Sequence, residues 1–402
     1  MPVAPQPSVP QPGIACAMSR HDGFVLLDGL HEVDADAWDS IAADQHGIVA
    51  PALSHAFLCG LEDSACVGRG TGWSPRHASL WRDGLLIAAM PLYEKEHSYG
   101  EYVFDWAWAE AYAHHGLAYY PKWLAALPFT PLPGKRLLGR APEARRQLLH
   151  AVLDHVERSG HSSFHLLLPT DEECRWLRDA GLLIRQGVQF HWYNAGYREF
   201  EDFLASLNHD KRKKIRQERR RAGAHGLDLS WLDGHTASKD DWNFFHRCYA
   251  TTYALHRSTP YLNARFFAAL AQRQPENLRL LIASRSGQPV ASAFFLCDSR
   301  TLYGRYWGAV EHLPFLHFEL CYYQAIDYCI RHGLDKFEGG AQGEHKLARG
   351  LLPVVTHSAH WIGDPRFRRA VDHYLARESA GVDHYLDELN DRTPFRQAGE
   401  PL

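Results

Sequence analysis

The chain has 402 residues, is 46% hydrophobic and 22% charged, and carries a formal net charge of −4. That is a globular composition with length for two domains, and no apolar run reaches the roughly 18 residues of a membrane span. Eight cysteines without a CxxC pair and 26 histidines without an HExxH pair exclude the common metal-site spacings. They read as reduced thiols and ordinary hydrogen-bonding imidazoles of a cytoplasmic protein.

Residues 1–20 form a Pro-rich tail without the basic start and apolar core of a signal peptide. From Ala78, ASLWRDGLLIAAMPLYEK predicts two strands about the turn Asp83-Gly84. A third, aromatic strand is predicted through Tyr99, Gly100, Tyr102, Phe104 and Trp106. The helix RRQLLHAVLDHVERSG, stopped by Gly160, and the strand SSFHLLLP follow. The same order returns after Leu280: strands about Ser286-Gly287, the aromatic strand LYGRYWGA, a helix stopped by Gly333, and the strand LDKFEGGA. Strand, strand, strand, helix, strand, met twice, predicts two similar mixed α/β domains from a duplication, residues 21–195 and 196–402. The second domain opens with the amphipathic helix FEDFLASL, then a helix capped by Asn208.

That second helix concentrates charge. Lys211 to Arg221 holds eight basic residues and one acid, Glu218, which leaves −11 for the rest of the chain. Cations at a helix start oppose the helix dipole, and like charges one turn apart repel. Local stability therefore does not explain Lys211, Arg212, Lys213 and Arg216, and an anionic partner, best a phosphate, does; the alternative is a solvated face pairing with the chain's own acids. A second candidate is FEGGAQGEHKLARG, residues 337–350. A strand breaks at Gly339-Gly340 and is followed by Gln342, Glu344, His345, Lys346 and Arg349. Glycines let the backbone approach a ligand, and a polar strand end is where an α/β site is built. Glu338 or Glu344 would accept a proton from an attacking amine, with His345 as the alternative base, while Lys346 would hold a phosphate or oxyanion. Third, the aromatic strands carry the charges Glu101, Asp105, Glu110 and Arg305, and buried charges need partners. A groove lined by Tyr102, Trp106, Tyr306 and Trp307 would give them a purpose. No metal site is expected.

The phrases HSYGEYVFDWAWAEAY, KRKKIRQERRR, LYGRYWG, LHFELCYYQAIDYCI and FEGGAQGEHKLARGLLPVVTHSAHW resemble a bacterial family of N-acyltransferases, the FemAB-like or peptidoglycan biosynthesis/recognition family. More distantly the chain is similar to the Fem transferases, which pass amino acids from aminoacyl-tRNA to a peptidoglycan precursor. The resemblance implies two tandem domains of the GNAT acetyltransferase fold, with the basic helix serving an anionic donor or acceptor and Lys346 holding the acceptor's phosphate. It implies acyl-CoA or aminoacyl-tRNA as co-substrate, no tightly bound cofactor, and an amine acceptor. The long two-helix arm of tRNA-binding Fem enzymes is missing. So is the Q/RxxGxG/A phosphate loop of GNAT enzymes, whose place is taken by AVEHLPFLHFELC. The alternative is a non-catalytic protein that binds nucleic acid or a cell-wall precursor.

Overall fold

The computed structural model describes residues 22–340 and 343–396; the N-terminal tail and Gln342 lie outside the described residues. The strands are β1 (Gly23–Leu27), β2 (Trp73–Pro75), β3 (His77–Arg82), β4 (Leu85–Met90), β5 (Leu92–Lys95), β6 (Lys122–Ala125), β7 (Ser163–Leu167) and β8 (Leu183–Tyr193), then β9 (Asp228–Asp233), β10 (Leu278–Arg285), β11 (Gln288–Cys297), β12 (Thr301–Ala309), β13 (Lys336–Glu338) and β14 (Leu352–Ile362). The helices are α1 (Ala35–Ala42), α2 (His55–Asp63), α3 (Trp106–His114), α4 (Pro142–Ser159), α5 (Asp171–Asp179), α6 (Phe200–Ser206), α7 (His209–Gly223), α8 (Lys239–Leu255), α9 (Ala264–Arg273), α10 (Leu316–Phe318), α11 (Gln324–His332) and α12 (Pro365–Asp391).

The two predicted hairpin turns form with the left-handed pairs their sequences favour: Asp83 and Gly84 at φ 51° and 72°, Ser286 and Gly287 at 50° and 74°. Gly160 and Gly333 end α4 and α11 in the left-handed conformation. Asn208 Oδ1 caps α7 by accepting from Lys211 N at 3.0 Å.

One sheet of eleven strands runs through the molecule in the order β2-β5-β6-β7-β14-β8-β13-β12-β11-β10-β9, and β1, β3 and β4 make a separate three-stranded sheet. The internal repeat is visible in two short parallel pairs, each joined through a helical segment. Trp123–Ala125 of β6 pairs with Phe164–Leu166 of β7, and Thr301–Tyr303 of β12 with Lys336–Glu338 of β13. The middle of the sheet exchanges strands. β8, from the first half, pairs with β13; β14, from the end of the second half, lies between β7 and β8.

The predicted third strand of the first half is corrected. Residues 99–105 form a loop, Trp106 begins α3, and the strand in that place is β6, some twenty residues on. The cause is electrostatic. Lys122 Nζ, fully buried on β6, donates to Ser98 Oγ at 2.8 Å, Glu101 Oε2 at 2.9 Å and Asp105 Oδ2 at 2.5 Å. Ser98, three residues before Glu101 and seven before Asp105, would point to the opposite face of a strand from those two acids, but all three can converge from a coiled loop.

Candidate active site

The parallel pairing of β12 with β13 stops at Tyr303 and Glu338. Beyond it β12 continues to Ala309, while the chain after β13 turns away through Gly339 and Gly340. A cavity of about 270 Å³ opens where the strands part, lined by Gly304 to Trp307, His317, Cys321, Tyr322, Gly339, Gly340, His345 and Lys346, with Tyr102 and Pro131 from the first half. Small residues are required there. A Cβ on Gly339 would come within 2.5 Å of the Leu351 side chain, and one on Gly304 within 3.3 Å of Glu338 O.

Two irregularities aim side chains into this space. In the β11–β12 ladder Phe294 faces Tyr306 but Phe295 faces Gly304, so Arg305 is the extra residue of a bulge. Its Nη2 donates to Phe129 O at 2.6 Å and Thr130 Oγ1 at 3.2 Å, and Tyr306 OH also donates to Phe129 O, at 3.0 Å. These bonds tie the second half to the first at the cavity wall. Between α10 and α11 lies a π-helical turn, Glu319–Tyr323. Such turns recur at functional sites because they displace one side chain from the helical row; here Cys321 and Tyr322 line the cavity.

The polar groups are two imidazoles, an ammonium and a guanidinium. Lys346, buried, donates from Nζ to Gly340 O at 2.8 Å, and burial pushes it down to about 8. His345 Nε2 and Tyr322 OH share a hydrogen bond of 2.9 Å. Burial lowers His345, helped by Arg349 and Lys346, and lowers His317 to about 4, with His345 adding repulsion. Both rings are thus neutral at neutral pH. Burial pushes the Cys321 thiol far up, so it carries no thiolate for nucleophilic attack.

The structure gathers Tyr102, Arg305, Tyr306, Trp307, His345 and Lys346 around the cavity and, among the described residues, places the other predicted side chains elsewhere. Glu344 is exposed and pairs with Arg392 Nη2 at 3.4 Å. Glu338 is buried outside the lining: its Oε1 accepts from Lys336 Nζ at 2.6 Å, and its Oε2 is buried without a hydrogen-bond partner among the described residues. Asp105 and Glu101 serve Lys122. Trp106 is exposed on α3, beside Tyr99 at 5.0 Å between ring centroids, and is not part of the lining. Glu110 is exposed on the same helix, 3.9 Å from His114.

The basic helix touches the site from behind. Its buried acid, Glu218, accepts two bonds of 2.9 Å from Arg349 Nη2 and one from Tyr323 OH. Arg219 pairs with Glu319 at 3.1 Å. Thus α7 clamps the π-helical turn on one side and the Glu344–Arg349 turn on the other, the two segments that carry Tyr322, His345 and Lys346. Arg349 is a clamp residue, its guanidinium also 3.5 Å from the Phe318 ring centre. Lys211, Arg212, Lys213 and Arg216 do not line the cavity; Arg216 pairs with Glu201 at 2.5 Å. The cavity is therefore lined by the loop, with the helix as its support. His317, Cys321 and Tyr322 were missed, although all three lie in the quoted phrases; a π turn breaks the periodicity that would have aligned them.

An α/β sheet with two parallel strand pairs, each joined through a helical segment, one of which parts over a polar cavity, has the tandem GNAT architecture. Residues 29–397 match the FemAB-like family, peptidoglycan biosynthesis/recognition, and the chain belongs to it. Among solved structures it is similar to the C-terminal DUF2156 domain of a protein assigned as a lysylphosphatidylglycerol synthetase from Agrobacterium fabrum, with TM-score 0.52 and 10% identity over 85% of this chain and 95% of that one. It is also similar to FemX, with TM-score 0.46 and 11% identity over 74% and 90%. A tandem GNAT protein of the clavulanic acid pathway gives TM-score 0.45 and 10% identity over 85% and 98%. No curated protein matches in sequence. Among the described residues no helix is long and apolar enough to cross a membrane.

Proposed function

We propose that the chain is a cytoplasmic N-acyltransferase that moves an acyl or aminoacyl group from an activated donor, acyl-CoA or aminoacyl-tRNA, to an amine, with a peptidoglycan precursor as the acceptor its family suggests. The observation that carries this reading is the cavity at the parting of β12 and β13, where Lys346, His345, Tyr322 and Arg305 converge. The amine nitrogen attacks the acyl carbon, an amide C–N bond forms, and the donor's C–S or C–O bond breaks. His345, neutral and hydrogen-bonded to Tyr322, accepts the amine's proton directly or through the phenol, and the leaving thiolate or alkoxide takes a proton in turn. Lys346 and Arg305 stabilise the oxyanion or a donor phosphate. Positioning supplies most of the rate in such a transfer, which agrees with a cavity thiol held protonated. Lys213, Lys214, Arg220 and Arg221 are exposed on α7 and suit the phosphates of a large donor.

The test is turnover by the purified protein with acetyl-CoA, followed by thiol release, and with aminoacyl-tRNA, followed by label transfer to amine acceptors. Lys346→Ala and His345→Ala should each lower transfer at least tenfold with unchanged circular dichroism. Wild-type rates in both remove this cavity as the site.

A further inference from the structure

A second cavity, of about 220 Å³, adjoins the first and shares Tyr102 and Pro131 with it as a common wall. Its lining includes every residue of β8 from Arg185 to Gln189. β8 pairs with β14 from Leu183 to His191, but with β13 only at His191–Tyr193. Along Arg185–Gln189, therefore, one edge of β8 has no strand beside it among the described residues. In an extended strand alternate residues turn their N–H and C=O groups to each side, so this stretch presents main-chain donors and acceptors over roughly 14 Å. Half-buried and inside the eleven-stranded sheet rather than at its rim, such an edge is a template for an added strand.

The surroundings restrict what is added. Gly187, at the centre, leaves the floor bare, and a Cβ there would stand 3.1 Å from Thr356 Oγ1. The charge of Arg185 is cancelled by a bidentate bond to Glu378, both distances 2.7 Å, and its Nη1 donates to Phe104 O at 2.6 Å. Gln186, Gln189, Thr356 and Ser358 are neutral amides and hydroxyls, while His357 lies 3.7 Å from Asp171. A neutral, amide-rich chain fits this chemistry, and a phosphate or free carboxylate does not. The shared wall is held: Tyr102 sits at φ 63°, a strained conformation for a non-glycine residue, inside the loop that Lys122 fastens at Ser98, Glu101 and Asp105.

We infer that the second cavity is the acceptor subsite, and that the acceptor presents an extended peptide segment whose main chain pairs with the open edge of β8 while its amine passes the Tyr102–Pro131 wall into the first cavity. The inference rests on the transfer reading above and adds the acceptor's class and binding mode to it.

The experiment compares glycinamide with Gly-Ala-Ala-Ala-amide as acceptors for the full-length protein, each with acetyl-CoA and with aminoacyl-tRNA, and repeats the peptide with single N-methylated amides. The tetrapeptide should show at least a tenfold higher kcat/KM than glycinamide. N-methylation should abolish this at alternate positions, the signature of strand pairing, and Gly187→Val should remove the preference. Equal kcat/KM for the two acceptors, an N-methyl scan without alternation, or a better rate with glucosamine than with the peptide would overturn the subsite. If neither donor supports transfer to any acceptor, the transfer reading fails. Titration calorimetry then decides the subsite alone: tetrapeptide binding lost on alternate N-methylation sustains it, and no binding overturns it.

Discussion

Lys122 offers the sharpest test of how the cavity wall is held. Its ammonium is fully buried between Glu101 and Asp105, whose side chains are 1% and 4% exposed. Burial pushes Glu101 up to about 7 despite Lys122. Burial would likewise raise Asp105, but Lys122 and His165 hold it well below the carboxylate range. Removing the ammonium in Lys122→Met strands two carboxyls in a pocket that hydrates neither. Breaking one buried pair costs about 3–5 kcal/mol, and at pH 8 the variant should lose about that amount in urea unfolding. At pH 5 both orphaned carboxyls take up protons, so the cost should shrink by at least half; adding Glu101→Gln and Asp105→Asn should restore most of it at pH 8. A loss below about 1 kcal/mol at pH 8, or an equal loss at both pH values, would refute the view that this charge holds the loop.

Lys346 is charged below about 8, so kcat/KM should fall as pH rises through that value, and Lys346→Arg should remove this alkaline limb if charge alone is needed. His165 is lowered to about 3 by burial and Lys122. Its contribution to stability is therefore full above the unfolded value near 6.5 and is lost as pH falls toward 3, by roughly 1.4 kcal/mol per unit; His165→Gln should flatten that slope in urea titrations between pH 7 and 4. Glu218→Gln removes the charge that faces Arg349 and should cost about 3–5 kcal/mol while raising KM, because the turn bearing His345 and Lys346 loses its clamp. If tRNA is the donor, replacing Lys213, Lys214, Arg220 and Arg221 by Glu should weaken tRNA binding and lower its log–log salt slope by roughly 0.7–0.9 per lost contact, measured by filter binding.

Much of the architecture was legible in short segments. Asp83-Gly84 and Ser286-Gly287 marked hairpins because only such residues tolerate two consecutive left-handed conformations. Asn208 and the glycines at 160 and 333 marked helix ends, and the polar run after Gly340 supplied His345 and Lys346 of the cavity. What stayed hidden depends on distant partners. Nothing local in SYGEYVFDW says that Glu101 and Asp105 turn inward to Lys122, and alternating aromatic residues imitate a strand. The run of cations in α7 is what its sequence displays, whereas the residue that fixes the helix is its buried acid, Glu218. Whether Glu338 faces the cavity or Lys336 is a matter of strand parity, which depends on where β13 starts.

The exchange of β8 and β14 has a consequence for biosynthesis. Until the ribosome has passed Ile362, β7 and β8 lack the strand that separates them, so the amino-terminal half leaves the exit tunnel with a gap in its sheet. Fragments divided near Asn194 should each be unable to fold in isolation, yet should regain the native sheet when mixed, each carrying the strand the other is missing.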